Sequence, residues 1–380
     1  MKCVFAWVAV LSLALLCIAG CSGSRRDTAD NTGRPGLMVV TTIFPEYSWA
    51  KEISGAQGKS IRLDLLTKKG TDMHSYQPGA EDILKISGCD LLVYVGGESD
   101  KWIKKALAEQ KNPKRRVICL MELLGGRVRA EETVEGMQER KPVSLWNREA
   151  CNDTNDRRHA GEGKGPHNEE AVSETKTGCG KGAYDAKRGE THDHGNSRAG
   201  ETEYDEHVWL SLKNADIACR AIADELSAMD PMNAGTYREN YVTYSKKLKA
   251  LDDRYKEIVA KAPVKTLLFG DRFPFRYLTD DYGLSYYAAF NGCSAETEAS
   301  FQTIVFLIRK MDELNLPAVL TMEGRQHKLA ATIAENTVAK NQKVLTLHSM
   351  QSVSEEEIRK GATYLSFMEK NLEVLREALR

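Results

Sequence analysis

The chain has 380 residues, enough for two or three domains of ordinary size. Hydrophobic residues make up 42% of it and charged residues 28%, which is the composition of a globular protein and excludes a wholly disordered or fibrous chain. The 53 basic and 54 acidic residues give a net charge of −1. This balance argues against a nucleic-acid-binding protein, because such proteins usually carry an excess or a stripe of basic residues.

The N-terminus has the pattern of an export signal. Lys2 is followed by an uncharged, mostly apolar run from Cys3 to Gly20, as in a secretory signal peptide. An uncleaved membrane anchor is the alternative, since the run is almost long enough to span a bilayer. The run ends in Ile18-Ala19-Gly20-Cys21, which is similar to a bacterial lipobox and predicts removal of residues 1–20 and a lipid on Cys21.

Residues 21–36 are predicted to form a flexible tether, because they contain no Val, Ile, Leu or Met. A lipid on Cys21 would hold the rest of the chain at the bilayer by burying its acyl chains. We therefore expect an extracytoplasmic protein that is lipid-anchored to the bacterial cell membrane.

The cysteines of the chain give only weak support for an exported protein. Cys119 lies in the apolar run 117–120 and is expected to be a buried free thiol. Cys151 and Cys179 share a polar segment, and the sequence leaves open whether they form a disulfide or bind metal.

From residue 37 the sequence alternates short runs rich in β-branched residues with helical segments. Strands are predicted at 38–43, 61–66, 91–95 and 117–120. Helices are predicted near 47–53, 81–86 and 102–108. This alternation is typical of βαβ units, so we expect a parallel sheet covered by helices.

Residues 151–203 interrupt the alternation, and we predict a polar insert over about 126–204. Val172 is the only Val, Ile, Leu or Met between Cys151 and Gly200, so the segment cannot bury enough apolar surface to offset the entropy of ordering it. Its histidines indicate either an auxiliary, low-affinity metal loop or a solvated insertion with incidental histidines. They are His159, His167, His192 and His194.

The clearest helix in the chain follows a shorter one predicted at 214–229. About 27 residues at 1.5 Å per residue make a rod of roughly 40 Å, long enough to cross a whole domain. We expect a rigid connector between two α/β blocks, with a dimeric coiled coil as the alternative. Its apolar stripe has spacings of four and three and consists of Tyr237, Tyr241, Tyr244, Leu248, Leu251, Tyr255 and Ile258.

Beyond Pro263 the alternation of strands and helices returns. Strands are predicted at 266–270, 285–290, 318–322 and 343–347. Helices are predicted near 273–280, 301–314 and 327–336, and a last helix is predicted from the capping box at 354–357 to the C-terminus. The predicted division is therefore a first α/β lobe over 37–230, a linking helix over 231–262 and a second α/β lobe over 263–380.

Open parallel sheets bind ligands beyond the carboxyl ends of their strands, so polar residues just after predicted strands are the candidate site. Two lie in each half of the chain, on either side of the long helix. Three imidazoles and one carboxylate make a tetrahedral set suited to zinc. The four candidates are His74, Asp271 and His348, which follow predicted strands, and His207, which ends the polar insert and enters the segment HVWLS.

Two further residues bear on this set. Glu323 also follows a predicted strand, so it competes with Asp271 as the carboxylate ligand. His327 lies at the start of a predicted helix and is expected to be a surface residue.

Five segments spread over nearly all of residues 38–350 carry distinctive motifs. They are TTIFPEYSWAKEISG (41–55), GTDMHSYQPGAEDILKISGCDLLVYVGGESDKW (70–102), DEHVWLSLKNA (205–215), FRYLTDDYGL (275–284) and VLTLHSMQS (344–352). The first three are quite specific, and together the five resemble the solute-binding lipoproteins of zinc and manganese ABC transporters. The resemblance implies two α/β lobes joined by one long helix, with a metal ion in the cleft between them.

The resemblance also implies a ligand set. His74 and His207 fall on the family's first and second metal histidines. The third ligand is usually His or Glu, and an ungapped count reaches Arg272, which cannot bind a cation, whereas a shift of one residue reaches Asp271. The fourth is usually Asp, and His348 stands at that position. The insert lies where zinc-specific members have a His-rich loop.

A nitrogen-rich ligand set and a histidine-bearing insert favour zinc as the cargo, with manganese as the alternative, because a manganese site is expected to use more carboxylate oxygen. The resemblance implies capture of the ion outside the cell and delivery to a membrane permease and its ATPase. We expect a monomer that does not bind nucleic acid.

Two other classes of protein compete with a transport protein. An exported zinc hydrolase would need an open coordination position and a general base, but the sequence contains neither H-E-x-x-H nor a Gly-x-Ser-x-Gly elbow, so we expect no enzymatic activity. A surface adhesin that uses the metal for stability is the second alternative.

Overall fold

The computed structural model describes residues 36–55, 61–67, 70–108, 111–138, 203–292, 298–324 and 327–380. The predicted signal peptide, the lipid site Cys21, Cys151, Cys179 and the four histidines of the insert lie outside the described residues. Within the described ranges, no helix has both the length and the apolar character needed to cross a bilayer.

The first sheet is parallel and has the strand order β2-β1-β3-β4. Its strands are β1 (Leu37–Thr41), β2 (Ile61–Leu65), β3 (Leu91–Tyr94) and β4 (Arg116–Cys119). The connecting helices are α1 (Phe44–Ser54), α2 (Ala80–Gly88), α3 (Ile103–Ala108) and α4 (Leu120–Leu124). All four residues of β3 are buried, as expected for a central strand with helices on both faces.

The second sheet repeats this architecture with the strand order β6-β5-β7-β8, again all parallel. Its strands are β5 (Thr266–Phe273), β6 (Ser285–Asn291), β7 (Ala318–Met322) and β8 (Lys343–Leu347). Its helices include α7 (Arg276–Tyr282), α8 (Phe301–Glu313) and α9 (Lys328–Glu335). The predicted fold class, two parallel-sheet α/β lobes, is confirmed.

Two helices lie between the sheets in sequence, α5 (Leu212–Met229) and α6 (Ala234–Lys261). The second is the predicted rod, and its Tyr237, Tyr244 and Leu248 are buried. It is hydrogen-bonded to both lobes: Asn240 Nδ2 donates to the carbonyl of Ile53 at 2.9 Å, and Tyr255 Oη donates to that of Met368 at 2.6 Å. A rod anchored in this way fixes the two sheets to one scaffold.

The end of strand β5 differs from the prediction. The strand continues past Gly270 to Phe273, so Asp271 and Arg272 lie within it rather than after it, and α7 begins at Arg276 instead of 273. The register against β6 shifts between Phe269 and Arg272, which marks a bulge. A bulge turns neighbouring side chains in new directions, and residue alternation alone does not reveal it.

The C-terminal region also differs, since it forms two helices instead of one. They are α10 (Glu355–Arg359) and α11 (Tyr364–Ala378). Ser354 and Glu357 form the predicted capping box, but Gly361 has φ 87° and ends the first helix, and Thr363 caps the second. Glycine tolerates this left-handed conformation and therefore breaks the helical run.

The two ends of the insert are joined by backbone hydrogen bonds. Ala130 and Tyr204 form an antiparallel bridge, and the amide of Asp205 donates to the carbonyl of Arg129 at 2.9 Å. The structure describes residues 126–138, although the prediction placed them in the insert. This pairing fixes the approach of the chain to His207.

The predicted buried thiol is confirmed. Cys119 is a free, buried cysteine, as are Cys89 and Cys219.

The bulge in β5 leads to the first prediction. A Cβ at Gly270 would lie 2.7 Å from the Cα and 2.9 Å from the backbone nitrogen of Ala330, atoms that cannot rotate away. We expect Gly270→Ala to lower the free energy of unfolding by about 1–3 kcal/mol in urea denaturation. Gly235→Ala is the control, because no atom lies within 4 Å of a Cβ there and alanine favours helix. Equal stability of the two variants would contradict this account.

Candidate metal centre

The Nε2 atoms of two imidazole rings face each other near the carboxyl end of the first sheet. His74 Nε2 lies 3.1 Å from His207 Nε2. The His207 side chain is fully buried, and that of His74 is 13% exposed. Gly292, which follows β6 of the second lobe, lies against this pair, since a Cβ there would be 3.0 Å from His207 Cε1. The carboxyl ends of both sheets therefore contribute to this region.

The carboxylate of Asp205 fixes the orientation of His207. One oxygen, Oδ1, accepts hydrogen bonds at 2.8 Å from both the backbone amide and Nδ1 of His207. Because an ionised carboxylate only accepts, Nδ1 carries the proton, and in the neutral ring the lone pair is on Nε2. Trp209 packs edge-on against the His207 ring at 5.3 Å, and its own Nε1 donates to the carbonyl of Ser349 at 2.8 Å.

His74 lies in a short 3₁₀ turn, Met73–Ser75, that follows β2. Asp72 caps this turn, since its Oδ1 accepts from the His74 amide at 3.0 Å. On the ring, Nδ1 lies 2.8 Å from Ser99 Oγ and 3.8 Å from Glu206 Oε2. Ser99 Oγ can either donate to Nδ1 or accept from it, so the proton on the His74 ring is free to move between the two nitrogens.

The loop after β3 places the Ser99 hydroxyl beside the His74 ring. Asp100 holds the start of the loop, because its Oδ2 accepts from the amides of Val95 at 3.0 Å and Gly96 at 3.1 Å. The amide of Ser99 donates to Glu206 Oε1 at 2.9 Å. These bonds connect the loop to the residue that precedes His207 in the chain.

Three buried carboxyl groups surround this loop, and burial raises the pKa of each. The pKa of Asp100 is raised to about 7, mainly by burial and further by the charge of Glu206. Burial also raises the pKa of Glu206 and, with the charge of Asp100, that of Glu46. Within the described structure, Glu206 Oε2 has no hydrogen-bond partner although it is buried. Burial thus disfavours the charged form of all three carboxyl groups.

The geometry of the histidine pair fits a tetrahedral metal ion. Two nitrogens bound to one zinc ion at about 2.0–2.1 Å lie about 3.3 Å apart in a tetrahedral site. The distance of 3.1 Å between His74 Nε2 and His207 Nε2 is close to that value. The Asp205 contact to His207 Nδ1 is also the outer contact that metal-bound histidines usually make.

Asp271 is engaged within the second lobe. Its Oδ2 accepts from Thr321 Oγ1 at 2.8 Å and from the Met322 amide at 3.2 Å, and its Oδ1 accepts from the Arg272 amide at 2.8 Å. Thr321 Oγ1 is also 2.9 Å from Nδ1 of His327, whose residue is exposed as predicted. These contacts join β5 to β7 at the point where the strand order of the second sheet reverses.

Glu323 and His348 form a second group in the same lobe. Both carboxylate oxygens of Glu323 accept from Ser349, at 2.7 Å from the amide and 2.6 Å from Oγ. His348 Nδ1 accepts from the Met350 amide at 3.0 Å, so in the neutral ring the proton is on Nε2. Burial, the largest influence, lowers the pKa of His348, which keeps the ring neutral.

The structure therefore brings together two of the predicted site residues, His74 and His207. Asp271, Glu323 and His348 make the second-lobe contacts described above. Across the described ranges, no group of three or more His, Cys, Asp or Glu side chains is arranged to hold a metal ion.

Several residues that build the site were not predicted from the sequence. Asp205 had a local signal, because it stands two residues before His207 in the motif Asp-Glu-His. Ser99, Asp100 and Glu206 had none, because their roles depend on a loop and a segment that meet only in the folded protein, 107 residues apart for Ser99 and Glu206.

Comparison with known proteins gives consistent results. A family model described as "ZnuA: Zinc-uptake complex component A periplasmic" matches residues 39–378. Zinc-binding lipoprotein AdcA of Streptococcus pneumoniae serotype 4 is 28% identical over 369 residues, which are 96% of this chain and 59% of that protein. High-affinity zinc uptake system protein ZnuA of Bacillus subtilis strain 168 is 26% identical over 371 residues, 97% of this chain and 96% of that protein.

A solved structure has the same fold. The crystal structure of the Zn(II)-bound ZnuA-like domain of Streptococcus pneumoniae AdcA matches with a TM-score of 0.60 at 25% identity, over 90% of this chain and 99% of that domain. The chain thus spans 59% of the length of the full streptococcal relative and nearly all of this one domain.

The buried carboxyl of Asp100 predicts a pH dependence of stability. Its pKa in the folded protein, about 7, is higher than in the unfolded chain, so its stabilising contribution is present at low pH and is lost as the pH rises from about 4 to about 7. The loss is at most about 1.4 kcal/mol per pH unit. Asp100→Asn keeps an oxygen that accepts from Val95 and Gly96 but removes the titration.

Urea unfolding between pH 4.5 and 7.5 checks this expectation. The stability of Asp100→Asn relative to the unmodified protein should increase with pH across this window. Asp224→Asn, on an exposed helix face, serves as the control and should show no such trend. A constant difference between Asp100→Asn and the unmodified protein would contradict the assignment.

Proposed function

The chain belongs to the periplasmic zinc-uptake component A family, and from this membership and the geometry of the histidine pair we propose that it captures zinc outside the cytoplasm and delivers it to an ABC-type permease and ATPase for import. The names of the relatives AdcA and ZnuA, a zinc-binding lipoprotein and a zinc uptake protein, support zinc as the cargo.

The observation that carries the proposal is the contact between the two imidazole tips. Asp205 holds the His207 proton on Nδ1, so His207 Nε2 presents a lone pair toward His74 Nε2 at 3.1 Å. Without metal, a proton on His74 Nε2 is needed between the two nitrogens. When a cation enters, the single proton of the neutral His74 ring moves from Nε2 to Nδ1, where Ser99 Oγ accepts it. Both rings then bind the ion through Nε2.

The remaining ligands come from the second lobe or from water. His348 and Asp271 are the proposed donors, with Glu323 as the alternative carboxylate. In the neutral ring of His348 the proton is on Nε2, so binding through Nε2 requires this proton to move to Nδ1, which then gives up the hydrogen bond from the Met350 amide. Asp271 retains about one lone pair beyond those that accept from Thr321, Met322 and the Arg272 amide, because a carboxylate has about four acceptor sites. A small movement of the second lobe toward the histidine pair on binding would complete the shell.

Zinc is favoured over manganese by the chemistry of these donors. Two imidazoles suit zinc, whereas manganese prefers carboxylate, carbonyl and water oxygens. The affinity order of divalent ions for nitrogen ligands also places zinc above manganese. A full shell of protein ligands suits a transport protein, while a catalytic zinc keeps one position open for water.

Two further parts of the proposal concern segments outside the described residues. We propose that a lipid on Cys21 keeps the protein at the membrane, where a permease can receive the ion. We also propose that His159, His167, His192 and His194 form an auxiliary, low-affinity site that raises the zinc concentration near the histidine pair.

Removal of either imidazole tests the proposal directly. His74→Ala and His207→Ala should each weaken zinc binding by at least about 100-fold in competition with a chromophoric chelator, because one lone pair of the facing pair is lost. Asp271→Ala, Glu323→Ala and His348→Ala, measured in parallel, identify the ligands of the second lobe. His327→Ala is the control, since this imidazole is exposed and contacts Thr321 instead of the pair.

Full zinc affinity in His74→Ala or His207→Ala would overturn the proposal. To distinguish transport from adhesion or catalysis, zinc uptake by cells that carry these variants is measured. Uptake at the normal rate in a strain with His207→Ala would exclude this pair as the transport site.

Asp205 provides a separate prediction about the orientation of His207. An amide can donate to Nδ1, so Asp205→Asn allows the His207 proton to move to Nε2, where it blocks the metal. We expect zinc affinity to fall by about 10- to 100-fold, as is usual for the loss of such an outer contact. Imidazole nitrogen NMR of the metal-free protein should show the proton on Nε2 in this variant. An unchanged NMR pattern together with unchanged affinity would contradict the role of Asp205.

A further inference from the structure

A buried arginine of the second lobe reaches the turn that carries His74. Arg272 is only 3% exposed, and its Nη2 donates to Asp72 Oδ2 at 2.7 Å. The two residues are 200 positions apart in the chain: Arg272 lies in β5 of the second sheet, and Asp72 lies in the loop after β2 of the first sheet. Burial raises the pKa of Asp72, but the charge of the Arg272 guanidinium and its hydrogen bond outweigh burial and hold this pKa below its usual range. This ion pair connects β5 with the loop after β2.

The bulge in β5 aims Arg272 at this loop. The register against β6 shifts between Phe269 and Arg272, and Asp271 turns toward Thr321 and β7. The Asp271 carboxylate accepts from the Arg272 backbone amide at 2.8 Å and so fixes the bulge itself. The two neighbouring charged side chains of β5 therefore contact different partners: Asp271 contacts Thr321, and Arg272 contacts Asp72.

The two carboxylate oxygens of Asp72 accept hydrogen bonds from different residues. Oδ2 accepts from Arg272, while Oδ1 accepts from the His74 amide at 3.0 Å and caps the turn Met73–Ser75. The Asp72 side chain is 24% exposed, so without a partner it would be free to rotate into solvent. A charged hydrogen bond to a nearly buried guanidinium prevents that rotation and keeps the cap in place.

We propose that Arg272 is a positioning residue of the metal site: through Asp72 it holds the His74 turn so that the imidazole faces His207. This inference rests on the proposed function for its effect on zinc, but its effect on the turn is independent of metal. Because arginine cannot bind a cation, β5 contributes to the site here by an ion pair between the lobes.

A purely electrostatic role for Arg272 makes an opposite prediction for one variant. If only charge mattered, Arg272→Gln would leave Asp72 unpaired and negative, which would strengthen the binding of a dication. Asp72→Asn would leave Arg272 unpaired and positive, which would weaken it. A positioning role requires both substitutions to weaken binding, because both remove the ion pair that holds the Asp72 cap in place. The sign of the change for Arg272→Gln therefore distinguishes the two mechanisms.

The experiment measures zinc affinity and amide hydrogen exchange on the full chain with Arg272→Gln, Asp72→Asn, the double variant and Arg272→Lys. Asparagine can still cap the turn through its amide oxygen, so Asp72→Asn isolates the contact with Arg272. We expect each single variant to bind zinc about tenfold more weakly, within the usual range for loss of an outer contact. The double variant should be no weaker than either single variant, and Arg272→Lys should restore part of the loss.

In the metal-free protein, protection of the amides of residues 73–76 should fall by about tenfold in Arg272→Gln. The matched control is Arg116→Gln, which removes another arginine–carboxylate pair, with Glu225 at 2.6 Å, at the opposite end of the first sheet. It should change neither zinc affinity nor exchange at 73–76.

Stronger zinc binding by Arg272→Gln, or unchanged affinity and exchange in both single variants, would overturn the proposal. Failure of the proposed function is distinguishable from this result. If the unmodified protein did not bind zinc, the exchange data alone would decide: lost protection in Arg272→Gln supports the positioning role, and unchanged protection contradicts it.

Discussion

The site depends on one hydrogen bond, from His207 Nδ1 to Asp205. The carboxylate accepts this bond at 2.8 Å and leaves His207 Nε2 with a lone pair directed at His74 Nε2. Two lone pairs at this distance repel each other, so the arrangement requires either a proton or a cation between them. In the proposed function, a divalent ion takes the place of this proton. Such binding weakens in acid, because metal-bound imidazoles must be unprotonated.

The two lobes have the same strand order but serve the site differently. In the first lobe, the loops after β2 and β3 deliver His74 and Ser99, and Asp100 fixes the second loop from the end of β3. In the second lobe, β5 and β7 are joined through Asp271 and Thr321. The first lobe thus presents the preformed pair, and the second lobe supplies both the support of the His74 turn and the proposed further ligands.

Much of the fold was predictable from the sequence, because buried parallel strands are short apolar runs and the long helix has a regular stripe. The histidine pair was predictable because His74 follows a predicted strand and both histidines lie within distinctive motifs. Asp271 was predicted to follow β5 but lies within it, because the strand continues beyond Gly270 through a bulge. The contact between Arg272 and Asp72 was unpredictable, since it joins residues 200 positions apart and has no local signal.

The most direct test of the account is anomalous X-ray diffraction from crystals of the zinc-loaded protein, collected at the zinc edge. We predict an anomalous peak about 2.0–2.1 Å from both His74 Nε2 and His207 Nε2, with Asp205 still bonded to His207 Nδ1. A zinc peak elsewhere in the protein, with the two Nε2 atoms still facing each other and no ion between them, would contradict it.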